Sequence, residues 1–180
     1  MSAAPQPKSG PRSRAPGTAR HSAAREAALQ ALYQMEITGA PAAVVVDEFV
    51  THRLGATDEE ATGGRKANAK MFAALVGGVS ERREALDEAL RPLLAAGWQI
   101  ERLEIIMRCI LRLGAFELMT RLEVPARVVV SEYVTLAGAF FNGDEPGAVN
   151  GILDRLARSL RPGELEARGD GARRSQRPAG

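Results

Sequence analysis

Side chains suited to acid, base or nucleophilic chemistry are few in this chain of 180 residues. It has two histidines, His21 and His52, and a single cysteine, Cys109. Neither histidine stands in an HExxH pattern, and one cysteine cannot supply a CxxC pair, so no spacing suits a metal ion. Cys109 lies within an apolar run, which favours a small buried side chain over a reactive thiol. We therefore expect no metal site and no redox chemistry.

Two glutamates, Glu117 and Glu132, stand in otherwise apolar segments and are the remaining candidates for acid chemistry. Neither has an evident nucleophile or base partner, so hydrogen-bonded structural roles are favoured. The sequence Gly-Gly-Arg-Lys at 63–66 is not a phosphate loop, because Ala67 stands where a serine or threonine is required. These observations predict a protein without enzymatic activity and without a cofactor.

The element expected to organise the fold is the apolar stretch at 100–122. Its apolar residues recur at helical spacing, which is typical of a helix in the middle of a bundle; the main stripe is Leu103, Ile106, Ile110 and Leu113. The polar residues are predicted to form a narrow exposed line through Glu101, Glu104, Arg108 and Arg112. Glu104 precedes Arg108 by four residues and is expected to pair with it. Gly114 predicts a close crossing by a neighbouring helix.

Six further segments show helical patterns, and no pair of strands is convincing. The segments run from about Ser22 to Ile37, from 42 to 54, from about Arg65, from Ser80 to about Pro92, from Pro125 to Phe140, and from Asp144 to Leu160. Ser22, Ser80 and Asp144 are expected to cap their helices. Trp98 is expected to anchor the joint before the central helix. In the segment from Pro125, a helical rather than alternating pattern runs through Val129, Tyr133, Leu136, Ala137 and Phe140. The sequence thus predicts an all-α, compact bundle of about seven helices.

The first helix is predicted to have a buried side and an outer side. The buried stripe is Ala24, Ala28, Leu32 and Met35. The outer side is expected to carry the hydrogen-bonding groups of Arg25, Gln30, Tyr33 and Gln34.

Charge is distributed unevenly along the chain. Residues 1–25 hold five basic side chains and no acid, residues 26–160 carry a net charge of −5, and the last twenty residues carry +2. A basic amino-terminal end on an acidic body predicts that any polyanion binds there.

The predicted organisation is a flexible basic arm at 1–19, a helical domain at 20–161 and a short disordered tail at 162–180. Four prolines among the first 18 residues rule out a core in the arm, and Pro162 with Gly163 ends the fold. No apolar run reaches the roughly 20 residues of a membrane helix, and no signal-peptide core is present. We therefore expect a cytoplasmic protein that does not enter a membrane.

Five segments, in order along the chain, closely resemble the NusB family of transcription antitermination proteins. They are Ala-Arg-Glu-Ala-Ala-Leu-Gln-Ala-Leu-Tyr at 24–33, Ile-Leu-Arg-Leu-Gly-Ala-Phe-Glu-Leu at 110–118, Val-Pro at 124–125, Ser-Glu-Tyr-Val at 131–134 and Val-Asn-Gly-Ile-Leu-Asp at 149–154. The resemblance covers about residues 20–161. It implies an all-helical, non-catalytic protein that binds the single-stranded boxA element of nascent ribosomal RNA. Its implied partners are a small-subunit ribosomal protein that doubles as an elongation factor and the RNA polymerase antitermination complex.

The resemblance also implies two sets of site residues. The RNA-binding set is Arg20, His21, Arg25, Gln30, Tyr33, Gln34 and Asp144. The charge distribution, rather than the resemblance, predicts that Lys8, Arg12 and Arg14 in the basic arm add phosphate contacts. The partner-binding set is Glu101, Arg108 and Arg112. Whether the free protein is a monomer or a homodimer stays open.

Two alternatives use the same bundle. A helical adaptor that binds only proteins would leave the basic arm as a solubility tail and predicts no RNA dependence. A domain of this kind also occurs fused to ribosomal RNA methyltransferases, but this chain has no glycine-rich strand-turn-helix for a methyl donor. The methyltransferase alternative is therefore nearly excluded.

Overall fold

The computed structural model describes residues 16–54 and 67–166, and within them the backbone forms eight α-helices and no strand. The helices are α1 (Pro16–Thr38), α2 (Ala42–Phe49), α3 (Ala69–Glu81), α4 (Arg83–Leu90), α5 (Ile105–Thr120), α6 (Ala126–Phe140), α7 (Glu145–Leu160) and α8 (Pro162–Glu166). A π-helical turn, Val50–Leu54, follows α2, and short 3-10 turns occur at Arg91–Leu93 and Ile100–Arg102. The predicted all-α fold is confirmed.

Helix α5 lies at the centre of the bundle, as its sequence predicts. It packs against α1, α3, α4, α6 and α7, and residues 109–118 are all buried. A Cβ atom added at Gly114 would lie 2.6 Å from a methyl of Leu153 and 3.3 Å from the ring of Tyr133. Gly114 therefore permits the close crossing of α6 and α7 over α5, which offsets the cost of glycine within a helix. Gly78 likewise permits α3 to pack closely on α5, because a side chain there would overlap the ring of Phe116.

The start of the central helix differs from the prediction. The continuous helix expected from residue 100 is broken, because Leu103 and Glu104 are extended and α5 begins at Ile105. The Arg108 guanidinium donates hydrogen bonds to the carbonyls of Glu101, at 3.1 Å, and Leu103, at 3.4 Å. The side chain of Arg108 thus satisfies two backbone carbonyls that would accept hydrogen bonds from amides in a continuous helix. These contacts stabilise the break in the helix.

Helix α1 begins earlier than predicted. It starts at Pro16, a residue whose fixed φ suits a first helical turn, so residues 16–19 of the predicted arm are helical. Ser22 is therefore not a cap. Its hydroxyl contacts the Thr18 carbonyl at 3.0 Å and the Glu132 carboxylate at 2.5 Å.

The predicted tail contributes to the fold between 162 and 166. These residues form α8, in which Leu165 is buried and the Glu164 carboxylate accepts a hydrogen bond from the first amide of α6 at 2.8 Å. Just before α8, the buried guanidinium of Arg161 donates to the carbonyls of Leu118, Arg121 and Val124. Arg161 thereby satisfies carbonyls at the end of α5 and in the turn that follows it.

Three smaller predictions were wrong. Helix α4 begins at Arg83 rather than at Ser80, and the Asp144 side chain makes no capping hydrogen bond at α7. Trp98 is 43% exposed and so does not anchor a joint in the core. Helix α3 has a cap that the sequence reading missed, because the Asn68 side chain accepts a hydrogen bond from the Met71 amide at 3.0 Å.

Within the part of the chain that the structure describes, none of the helices has the length and apolar character needed to cross a membrane. Residues 1–15 of the predicted arm and residues from 167 onward in the predicted tail lie outside the described residues.

Candidate nucleic-acid interface

The outward side of α1 carries most of the described residues that were predicted to contact RNA. Arg20, Gln30 and Tyr33 are exposed, and the Tyr33 residue keeps 42% of its surface accessible. His21 and Gln34 are half-buried. This placement follows from the sequence, because the apolar side chains of α1 recur at helical spacing and turn toward the core. The helix therefore offers an aromatic ring, two amides and basic groups on a rigid support.

Three of these residues share a shallow depression in the surface. Gln30, Tyr33 and Gln34 line it together with side chains from other elements, and its volume is about 490 Å³. The other described residues in the lining are Leu29, Arg53, Ile106 and Phe140. Phe140 is the last residue of α6 and precedes the loop that carries the exposed Asp144. The end of α6, which leads into this loop, therefore lies beside the outer face of α1.

The predicted outward placement of Arg25 is wrong. Arg25 is 4% exposed, and its guanidinium donates to both oxygens of Glu117, at 2.9 and 2.5 Å, and to Glu132 at 3.2 Å. The Tyr133 hydroxyl donates to the same Glu117 carboxylate at 2.9 Å. Arg25 was placed outward because a charged residue normally faces water, but two acids from α5 and α6 compensate its charge in the interior.

The electrostatics of this buried cluster follow from its contacts. Burial alone would lower the pKa of the Arg25 guanidinium, but the hydrogen bond and the negative charge of Glu117 raise that pKa above its ordinary value. Burial raises the pKa of the Tyr133 hydroxyl well above its usual range, so this group stays protonated and donates. The hydrogen bonds predicted for Glu117 and Glu132 are confirmed. The ion pairs and hydrogen bonds of this cluster connect α1 to α5 and α6.

The three residues predicted to bind a protein partner line a second depression, of about 1030 Å³, between α4 and α5. Only Glu101 of the three is exposed, and it accepts a hydrogen bond from Arg91 at 2.8 Å. This bond lowers the pKa of the Glu101 carboxyl. The predicted exposed line is wrong at Arg112, which is buried and donates to both oxygens of Asp87 at 2.7 and 2.8 Å. Arg112 thus joins α5 to α4 instead of facing solvent.

Glu36, near the end of α1, is a residue that the sequence reading missed. Its carboxylate accepts hydrogen bonds from Arg108 and Arg112, each at 2.9 Å, and lies 3.8 Å from Arg83. The predicted pairing of Arg108 with Glu104 is therefore wrong. Burial opposes ionisation of Glu36, but the hydrogen bond from Arg108 and the charges of both arginines lower its pKa. Nothing local in the sequence signals these hydrogen bonds, because Arg108 and Arg112 lie more than 70 residues away along the chain.

Two residues of the first depression were also missed. Phe140 belongs to the apolar helical pattern predicted for this segment, yet it is 42% exposed at the last residue of α6. Arg53 stands in the π-helical turn after α2, and its guanidinium carbon lies 4.4 Å from the centre of the Phe49 ring. An arginine four residues after a buried phenylalanine is the sequence signal that would have predicted this stacking.

Lys8, Arg12 and Arg14 lie outside the described residues. Cys109 is buried, and burial raises the pKa of its thiol to about 11, as expected for a residue with a packing role. Among the described residues, no cluster of three or more His, Cys, Asp or Glu side chains is arranged to hold a metal ion.

Comparison with known proteins gives consistent matches. The NusB family model matches residues 22–158. Proteins named transcription antitermination protein NusB are similar over most of their length: that of Maricaulis maris is 51% identical over 79% of this chain and 89% of its own. That of Bradyrhizobium sp. is 47% identical over 81% of this chain and 86% of its own. A solved structure of T. maritima NusB superposes with a TM-score of 0.60 at 24% identity, covering 76% of this chain and 89% of that one. The structural likeness concerns the fold.

Proposed function

Because the chain belongs to the NusB family, we propose that it binds the boxA element of nascent ribosomal RNA as a single strand. Its role lies in transcription antitermination. A small-subunit ribosomal protein that doubles as an elongation factor binds with it, within the antitermination complex on RNA polymerase. The outcome is processive transcription of the genes for ribosomal RNA.

The observation that carries the RNA proposal is the grouping of Gln30, Tyr33 and Gln34 at one depression. Proteins that read single-stranded RNA stack its bases on aromatic rings and hydrogen-bond to the base edges. The half-exposed ring of Tyr33 supplies the stacking surface, and the two amides supply donors and acceptors. Asp144, in the loop that follows Phe140, adds a carboxylate that can accept a hydrogen bond from a base amino group or a 2′-hydroxyl.

Phosphate contacts come from the basic groups at the amino-terminal end. Arg20 is exposed at the start of α1, and His21 follows it. Lys8, Arg12 and Arg14 precede them in the sequence and add cations that neutralise further phosphates. Such contacts strengthen binding without reading sequence, and they weaken as salt rises. Arg25 contributes indirectly, because its buried ion pairs hold α1 in place.

The ribosomal protein is proposed to bind at the second depression, between α4 and α5. Exposed Glu101 offers a direct contact there. Arg108 and Arg112 act mainly by fixing Glu36 and Asp87, so they shape the surface rather than reach across it. The charged lining suits a polar interface more than a hydrophobic one.

Tyr33→Ala is expected to weaken binding to a boxA RNA by about 1–3 kcal/mol, because the variant loses a base-stacking ring while the fold is retained. Trp98→Ala is the matched control: Trp98 is an aromatic residue with 43% exposure, and it does not line the depression. Fluorescence anisotropy titrations with labelled RNA measure the affinity, and thermal unfolding of each variant measures stability.

Two results would count against the proposal. An unchanged affinity of the Tyr33 variant together with a lower unfolding temperature would make Tyr33 a residue of the core edge. Failure of the unaltered protein to bind boxA RNA, alone or with the ribosomal protein, would favour the helical adaptor that binds only proteins.

A further inference from the structure

The side of the first depression formed by Arg53 and Phe140 has no role in the contacts proposed so far. The two residues come from different elements, the turn after α2 and the end of α6, and face the same depression as Tyr33. Among the residues that the structure describes, Arg53 is the only charged one in the lining. A ligand that fits here should therefore be flat and largely apolar on its faces. It should also carry a negatively charged group close to its flat part.

Arg53 is part of a layered stack. The rings of Phe72 and Phe49 lie 5.5 Å apart with their planes inclined by 17°, and the Arg53 guanidinium covers Phe49 at 4.4 Å. Both phenylalanines are buried, so the support under the guanidinium is rigid. Arg53 itself is exposed. A planar guanidinium held in this way can stack on a base or pair with a phosphate, with little loss of freedom on binding.

Phe140 supplies a second aromatic surface beside Tyr33. Each residue is 42% exposed, although a phenylalanine gains nothing from contact with water. Leu29 and Ile106 add apolar side chains to the described lining. Gln30 and Gln34 add polar amides, of which that of Gln34 also donates to the Glu48 carboxylate at 3.0 Å. Two accessible rings, a stacked arginine and two amides form a combination that suits a nucleobase better than an aliphatic side chain.

We propose that this depression is a base-binding pocket, in which Phe140 and Arg53 hold one unstacked nucleobase of the RNA. The neighbouring base of the same RNA stacks on Tyr33. The inference rests on the proposed RNA-binding function and adds two contact residues to it. The volume of about 490 Å³ lies in the range of sites that enclose small ligands. Phe140 provides the stacking surface, and Arg53 contacts the base or the phosphate that follows it.

The test combines variants of the full chain with RNAs that lack one base. Phe140→Ala and Phe140→Leu should each weaken binding of a short boxA RNA by about 5- to 150-fold, whereas Phe140→Trp should retain the affinity because it keeps a ring. Arg53→Met keeps an apolar stem over Phe49 but should also weaken binding. Trp98→Ala and Arg127→Met are matched controls, since both residues are exposed outside the depression.

The RNAs carry an abasic nucleotide at each position in turn. If one base occupies the pocket, its removal should weaken binding to the unaltered protein and abolish the further effect of Phe140→Ala. Equal binding by the parent, Phe140→Ala and Phe140→Leu, with Tyr33→Ala still impaired, would overturn the pocket and leave the RNA function standing. A loss of self-association in Phe140→Ala without a loss of RNA affinity would show a contact between copies and would overturn it too. No RNA binding by the parent would overturn the proposed function and the pocket together.

Discussion

Arg25→Ala is expected to lower the free energy of unfolding by about 3–5 kcal/mol, because it leaves a buried carboxylate without its cation. Glu117 is fully buried, and Arg25 donates to both of its oxygens while also reaching Glu132. Denaturant unfolding of the two proteins measures the difference. Arg127→Ala, which removes an exposed arginine from α6, is the matched control and should change stability by less than about 0.5 kcal/mol.

Arg25→Lys should recover only part of this loss, because an ammonium group cannot match the two oxygens of Glu117 with a planar fork of donors. The outcome that would contradict the buried role is the reverse pattern. If Arg25→Ala kept the stability of the parent and lost only RNA affinity, Arg25 would face the RNA as the sequence alone suggested.

Ile110→Ala is expected to lower the free energy of unfolding by about 2–5 kcal/mol, through lost apolar contacts and the cavity that remains. Ile110 is fully buried on α5, the helix that packs against five others. Val128→Ala, at an exposed position of α6, is the matched control. Denaturant midpoints of the three proteins decide the matter, and a difference below about 0.5 kcal/mol for Ile110→Ala would mean that α5 is not the centre of the core.

The central position of α5 could be predicted from sequence because apolar periodicity is a local signal. Ile110, Leu113 and their neighbours repeat at the spacing of a helix that is buried on most sides, and the structure buries all of 109–118. Gly114 was likewise readable, since a glycine within a helix indicates a close neighbour. Both inferences need only residues within a few turns of each other.

Charged side chains were harder to place, because their environment depends on distant parts of the chain. Periodicity puts Arg25 on a surface, yet Glu117 lies 92 residues away and Glu132 lies 107 residues away. Glu36 meets its arginines in the same way. The two glutamates stand in apolar segments and were expected to be hydrogen-bonded, but the sequence alone did not say which residues are their partners.

The candidate site could be predicted only in part, because one side of it depends on contacts between distant parts of the chain. The outer face of α1 follows from helical spacing, which places Gln30 and Tyr33 together. The far side of the depression depends on where α2 and α6 end relative to α1, which is a property of the packing. Phe140 was therefore identified only as part of an apolar helical pattern, and Arg53 was not singled out.

The affinity of the full chain for a short boxA RNA, compared with a permuted RNA of the same composition, tests the central claim most directly. Both are measured by fluorescence anisotropy at one salt concentration, with and without the small-subunit ribosomal protein, because phosphate contacts alone cannot distinguish the two sequences. The proposed function predicts tighter binding of boxA than of the permuted RNA, and a further gain for boxA when the ribosomal protein is present. Equal affinities for the two RNAs under both conditions, or no binding of either, would contradict it.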